Sequence, residues 1–308
     1  MDRLPPADTS DRLLAAAFDR WPRCVGLAIV RSGAIAAAVG DLDAATPVAS
    51  VTKLLASLAA LVAAEEGSVR LDDPAGPPGS TVRHLLAHAS GLAPDTDDVL
   101  AAPGTRRIYS NAGYEELARV LERSTGIAAA TYVNEGVIEA LGMANTRIVG
   151  SLAHGAVSSV RDLSTWASTA LAHRLVDPAT WADAVTAQFP TIDGVVPGFG
   201  TQRPCPWGLG PELKGAKSPH WMGTAVSPST FGHFGRSGSL VWVDPIRNVA
   251  LVGLGRTDFG QWAVDLWPGL SDAVVALCDR LGLVCGAAVD AHVDAVAPAD
   301  VITPDGLA

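Results

Sequence analysis

The chain has 308 residues, of which 48% are hydrophobic and 18% charged, with a formal net charge of −10. That length supports a substantial core in one large domain or two interlocked ones, and the composition belongs to a globular chain. The negative balance repels phosphate backbones and anionic lipid, and no apolar run nears the ~20 residues that cross a bilayer, so neither nucleic acid nor membrane is an expected partner.

The N-terminal residues lack the basic flank and apolar stretch of a signal peptide, which sets a cytoplasmic expectation. Residues 9–20 have helical spacing. Val25–Val30 and Ala34–Val39 are apolar runs joined by Arg31-Ser32-Gly33, a hairpin signal. Val51–Glu66 reads as a long apolar helix closed by Gly67. Further helices are expected at His84–His88, Ala112–Ser124, Thr131–Leu141, Arg161–Leu171 and Pro178–Gln188. Strand character returns in Phe231–Val243 and Val249–Gly255, around a turn at Asp244-Pro245. Gln261–Leu281 closes the series as a helix interrupted near Pro268.

Strands at both ends with helices between them predict an α/β (α+β) fold: an antiparallel sheet flanked by helices, built from both termini, with a helical domain inserted. The expected division is 1–68 with 198–285 for the α/β part, 69–197 for the helical part and 286–308 for a tail. Cys24, Cys205, Cys278 and Cys285 show no metal-binding spacing, and the last two are too far apart on one helix to bond; all four are expected as reduced core thiols.

Three short segments carry chemistry. The first is Ser50-Val51-Thr52-Lys53. Ser50 starts a helix, where its hydroxyl meets a positive field and a free N–H. Lys53 lies one turn on, on the same side, among Leu54, Leu55 and Leu58. Burial there lowers a lysine pKa, and a neutral amine can take a proton from serine. Only Lys53, Lys214 and Lys217 are lysines among 22 basic residues. Arginine stays protonated and cannot serve as a base, whereas lysine can be tuned, which is a chemical reason for lysine here.

The second segment is Tyr109-Ser110-Asn111, at a junction between a Pro-Gly loop and a helix. Tyr109 beside a cationic lysine is expected to have a lowered pKa and to move protons, and Asn111 to donate to a substrate carbonyl. The third is His233-Phe234-Gly235-Arg236 at a strand entrance. Gly235 lets a substrate backbone come close, and the Arg236 N–H pairs with that of Ser50 as an oxyanion hole.

Ser-x-x-Lys, Tyr-x-Asn and His-x-Gly, in that order, resemble the motif set of class C β-lactamases, related DD-peptidases and family VIII esterases. Leu71-Asp72-Asp73-Pro74, Leu85-Leu86-Ala87-His88-Ala89-Ser90-Gly91-Leu92, Leu141-Gly142-Met143-Ala144-Asn145-Thr146 and Ser159-Val160-Arg161-Asp162-Leu163 look like the same family, and the resemblance covers roughly residues 20–255. It implies a site in the cleft between the two parts. There Ser50 forms an acyl-enzyme and Lys53 and Tyr109 share the base role, with the order of proton transfer left open by residue types. His233 departs from the lysine that typical β-lactamases carry. The chain is also shorter than typical class C enzymes.

His84 and His88 have a zinc-compatible spacing but no Glu after the first and no third ligand, so no metal is expected. Gly-x-Ser-x-Gly and phosphate or dinucleotide loops are absent, and no cofactor is expected. The leading substrate is a small-molecule carboxylic ester. The alternatives are an amide, a β-lactam or a D-amino-acid peptide, or a penicillin-recognising fold that is acylated without turnover. Trp207 and Trp221 are candidates for the cleft wall.

Overall fold

The computed structural model describes residues 8–172, 174 and 176–280. The expected tail at 286–308 and Cys285 lie outside the described residues. The chain runs α1 (Asp8–Arg20), β1 (Cys24–Arg31), β2 (Ala34–Gly40), β3 (Thr46–Pro47) and, after a 3-10 turn at Ala49–Val51, α2 (Thr52–Glu65). Then follow α3 (Val82–Leu86), α4 (Asn111–Thr125), α5 (Ala129–Val133), β4 (Arg147–Ile148), β5 (Ala156–Ser158), α6 (Val160–Leu171) and α7 (Pro178–Ala184). The last stretch holds β6 (Gly194–Val196), β7 (Gly200–Gln202), β8 (Glu212–Leu213), β9 (Phe231–Gly235), β10 (Ser239–Asp244), β11 (Val249–Gly255) and α8 (Gln261–Arg280).

The main sheet has the order β2-β1-β11-β10-β9-β8, with every neighbouring pair antiparallel. Strands from the two ends of the chain therefore share one sheet, as the sequence predicts. Its central strands are apolar on both faces because helices cover both. The two-residue period of a strand divides them: Ala28, Val30, Val241 and Val252 face a core that includes α2 and α6, while Leu27, Ile29, Leu240 and Leu251 face one that includes α1 and α8. Helix α2 is buried on nearly all sides, from Thr52 through Leu61. A helix that is apolar all round belongs in a core. Any polar group it carries is consequently cut off from water.

Several element expectations need correction. Phe231–Val243 is two strands, because Arg236–Gly238 form a turn between β9 and β10, with Gly238 N–H donating to Gly235 O. Pro268 does not interrupt α8; Leu266, Trp267, Leu270 and Val274 around it are all buried, and packing holds both halves in line. The helix expected at His84–His88 ends at Leu86, and His88 takes a left-handed φ of +54°. The one expected at Thr131–Leu141 is α5 followed by a wide π-type turn at Asn134–Glu139, and α7 ends at Ala184, short of Gln188. Cys205 and Cys278 are buried free thiols as expected, whereas Cys24 is only half-buried at the start of β1. No helix among the described residues is long and apolar enough to cross a membrane.

Candidate active site

The segment before α2 makes a sharp turn. Ala49 has φ +45°, a left-handed conformation that costs a residue with a Cβ about 1–3 kcal/mol and persists only where neighbours enforce it. The neighbours do so from two sides. Val48 N–H donates to Ala156 O at 3.0 Å, Thr52 Oγ1 donates to Ala49 O at 2.5 Å, and Ala156 N–H donates to Thr52 Oγ1 at 2.9 Å. From the sheet, Ser239 Oγ donates to Val48 O at 2.8 Å. Ser50 follows this clamped turn, half-buried in the 3-10 turn rather than as the first residue of the α-helix.

Gly235 also serves this turn. A Cβ there would lie 2.2 Å from Val48 O and 3.2 Å from Ala49 Cβ. The close approach that glycine permits is thus of β9 to the turn before Ser50, which corrects the expectation that it makes room for substrate.

Lys53 is fully buried on α2. Its Nζ donates to Asn111 Oδ1 at 2.7 Å and to Ala153 O at 2.8 Å, and lies 4.7 Å from the centre of the Tyr109 ring. Loss of hydration brings its pKa down to about 7, against the upward pull of the Glu115 and Asp95 carboxylates.

Tyr109 is half-buried as a residue, but its hydroxyl oxygen is out of solvent and without a hydrogen-bond partner among the described residues. Burial raises the phenol pKa, and the nearby Ser50 hydroxyl only partly offsets this without reaching hydrogen-bond geometry. The expectation of a lowered tyrosine pKa is therefore wrong, because desolvation of the phenolate outweighs the lysine. The ring stacks on His88 at 4.4 Å. His88 Nδ1 accepts the Ser110 N–H at 3.1 Å, so this histidine holds the Tyr109 segment in place. Ser110, and not Asn111, caps α4, its Oγ accepting the Gly113 N–H at 2.9 Å. Asn111 Nδ2 donates to Asp95 Oδ1 at 2.7 Å, leaving one amide proton for a substrate carbonyl.

On β9, His233 is buried, with Nδ1 2.7 Å from Phe234 O. A carbonyl only accepts, so Nδ1 carries the proton. Burial, reinforced by Lys53, lowers the pKa to about 4, so the ring is neutral at pH 7 and Nε2 is a bare lone pair with no partner among the described residues. The Arg236 side chain is exposed at the rim and pairs with Asp258 at 3.3 Å. Its peptide N–H donates to no backbone carbonyl among the described residues.

These groups meet in one cavity of about 360 Å³. Ser50, Tyr109, Asn111, His233 and Arg236 line it; Val195, Pro197, Trp207, Phe234 and Phe259 supply apolar wall, and Glu212 a carboxylate. Small-molecule sites have this make-up, largely apolar with a few converging polar groups.

The profile of the β-lactamase family matches residues 12–268. The chain belongs to the β-lactamase family. A solved β-lactamase from Mycobacterium bovis is 50% identical, with a TM-score of 0.84 over 86% of this chain and 99% of its own. The LovD6 mutant of simvastatin synthase from Aspergillus terreus superposes with a TM-score of 0.70 at 17% identity, over 89% of this chain and 97% of its own. EstCE1, a hydrolase with promiscuous acyltransferase activity, does so at 0.67 and 20%, over 86% of this chain and 99% of its own. The last two share the fold. No curated protein matches the sequence.

In this β-lactamase-family cavity stand six of the seven residues singled out from sequence, if Gly235 is set aside as support and Lys53 is counted through its contact with Asn111. His84 and His88 part company: His84 stacks on Phe189, outside the cavity lining. Trp207 is in the wall, but Trp221 is buried behind it, donating to Glu212 Oε2 at 2.8 Å. Sequence reasoning missed Glu212, whose carboxylate also accepts from Lys217 at 2.6 Å and, through Oε1, from His220 Nε2 at 2.9 Å. The scarcity of lysine was the available signal, since Lys53, Lys214 and Lys217 are all buried. It also missed Arg107, which donates to the carbonyls of Cys205 at 2.9 Å and Gln188 at 2.7 Å and so anchors the loop bearing Tyr109.

Proposed function

We propose that this protein is a serine hydrolase acting through an acyl-enzyme, with a small carboxylic ester as substrate. The observation that carries the reading is Lys53, a dehydrated amine near neutrality at about pH 7, placed on α2 one turn from Ser50 at the cavity.

Neutral Lys53 takes the Ser50 proton as Oγ attacks the carbonyl carbon. The N–H groups of Ser50 and Arg236 hold the oxyanion, and Asn111 binds the acyl part. When the C–O bond breaks, the protonated phenol of Tyr109 gives its proton to the leaving oxygen and is reprotonated from Lys53. Water then attacks the acyl-enzyme by the reverse route. The raised phenol pKa supports a donor role for Tyr109, and the lowered amine pKa supports a base role for Lys53. An ester is favoured over a β-lactam because the carboxylate of a lactam needs a fixed cation beside β9, where His233 is neutral.

The test is kcat/KM for p-nitrophenyl butyrate, a chromogenic cephalosporin and a D-alanyl anilide, with a fluorophosphonate probe mapped by mass spectrometry. Expected are ester turnover above the other two and one label on Ser50. A stoichiometric label on another serine, or preference for the cephalosporin or anilide, overturns the reading. Acylation that stops after one burst indicates a fold that recognises without turnover. The second reading is β-lactam hydrolysis. The 50% identical neighbour, a β-lactamase, favours it, as does Arg236 at the rim as an alternative cation.

A further inference from the structure

Four of the residues that line the cavity, Val195, Pro197, Phe234 and Phe259, form one apolar wall. The Phe234 and Phe259 rings lie 4.9 Å apart, and both are half-buried, so each keeps a face open. The turn of the β6–β7 hairpin rests on the Phe259 ring: a Cβ at Gly198 would lie 2.8 Å from Phe259 Cζ. That hairpin carries Val195 and Pro197 to the cavity mouth. Of the large hydrophobic side chains left exposed among the described residues, Val195, at 52%, is the only one that lines the cavity. The wall is also fixed before anything binds. Trp267 backs the Phe259 ring at 5.4 Å, Phe259 N–H donates to Arg236 O at 2.7 Å, and the hairpin is held where Arg107 N–H donates to Asp193 O at 2.8 Å.

We infer that this wall is a subsite for an alkyl chain of the ester, with Phe259 as its floor and Val195 at its mouth. The inference rests on the esterase reading and deepens it. The side chains of the wall offer no hydrogen bond, so a polar group laid on it would lose water without replacement. The charges at the cavity are already matched, Glu212 by Lys217 at 2.6 Å and Arg236 by Asp258 at 3.3 Å, and leave no ion for a charged group to meet. A hydrocarbon chain loses nothing by leaving water, and it covers the exposed Val195. Because the rings are held in place, little ordering opposes its binding. The chain belongs either to the acid or to the alcohol; its chemistry is the same in both.

The experiment lengthens one end of the ester at a time. Ethyl butyrate is compared with ethyl octanoate, and butyl acetate with octyl acetate, below the concentrations at which they form micelles and beside p-nitrophenyl butyrate. Each rate is divided by that of alkaline hydrolysis. A methylene fully removed from water is worth about fourfold, so in one arm kcat/KM should rise at least about tenfold over the four added carbons. The arm that rises identifies the end that holds the chain. Phe259→Ser should bring the rise toward one. Val195→Asn should shrink it too, and since Val195 is exposed on the hairpin this variant serves even if Phe259→Ser fails to fold. A wild-type rise under about twofold in both arms, or a rise undiminished in every folded variant, overturns the inference. If p-nitrophenyl butyrate is turned over but neither arm rises, the inference alone fails. If no ester is turned over, the esterase reading fails and takes the inference with it.

Discussion

Lys53 Nζ stands 2.7 Å from Asn111 Oδ1 and donates to it. With Ala153 O at 2.8 Å as the second acceptor, two of the tetrahedral directions around the nitrogen are occupied. A neutral amine has two N–H bonds, so both are satisfied and the lone pair keeps the remaining direction. The site thereby holds the form of lysine that can act as a base, at a pH where an exposed lysine would be almost wholly charged.

The acid limb of kcat/KM should accordingly titrate near 7, activity rising as Lys53 loses its proton. Glu115 is the leading carboxylate that pulls this pKa upward. Glu115→Gln removes that pull, so the acid limb should move to lower pH, as read from pH–rate profiles of the two proteins. A shift to higher pH would mean that Glu115 does not act on Lys53 through its charge.

Lys53→Arg should lower turnover of the folded protein by about 10²–10⁴-fold, because a guanidinium stays protonated and cannot act as a base. The stability consequence has a definite sign. The folded pKa, about 7, lies below the ordinary 10.5, so between those values the unfolded chain binds more protons. Stability contributed at this position rises with pH across that window. Lys53→Met should lose that slope and gain stability most below pH 7, where wild type holds a buried charge. Denaturation midpoints at pH 6 and pH 9 for both proteins would show it.

The sheet was legible in the sequence because its strands are apolar runs bounded by turn residues, and the site was legible because Ser50, Lys53, Tyr109 and Asn111 fall in short segments whose order is informative. The break inside Phe231–Val243 was harder to see, since Gly235 and Gly238 read equally as strand or turn until the register with β10 is known. The direction of the Tyr109 shift was misjudged for a similar reason. Proximity to lysine can be guessed from motifs, whereas the dryness of the phenol depends on His88 and Trp207, which come from distant segments. Glu212 was invisible because its partners Lys217, His220 and Trp221 lie in an irregular stretch with no period.

Tyr109→Phe should cost more with poor leaving groups than with good ones. The phenol is held protonated, so in the proposed reaction its contribution is a proton to the leaving oxygen. p-Nitrophenolate leaves without that proton, and an alkoxide does not. The loss in kcat/KM should therefore be larger for an alkyl butyrate than for p-nitrophenyl butyrate. Equal losses for both would place Tyr109 in the attack step.

Gly235→Ala should destabilise the fold by about 1–3 kcal/mol, the usual cost of forcing volume into a packed site. The new methyl would overlap Val48 O at 2.2 Å and Ser239 Oγ at 2.4 Å. Relief requires the Val48–Ala49 turn to move, and Ser50 with it. Activity should fall in the folded fraction as well, measured as turnover per fluorophosphonate-reactive site. Full activity per site would show that the turn tolerates the shift.

The last expectation concerns His233 as the reason for poor β-lactam turnover. A lysine at this place on β9 would put a cation on the cavity wall; the histidine is neutral, its pKa brought to about 4 by burial and by Lys53. Arg236 does not replace it inside the wall, because its guanidinium is at the rim, mostly exposed and paired with Asp258 at 3.3 Å. Two unit charges near a protein surface interact at 4 Å by about 4 kcal/mol, and solvent screening at the rim cuts this severely. His233→Lys should therefore raise kcat/KM for a chromogenic cephalosporin and lower that for p-nitrophenyl butyrate, provided the new amine keeps its charge beside Lys53. Raising the salt concentration should weaken the gain only slightly, since the new charge would be buried. If the wild type already prefers the cephalosporin, Arg236 is cation enough and the argument from His233 fails; Arg236→Gln would then abolish that preference.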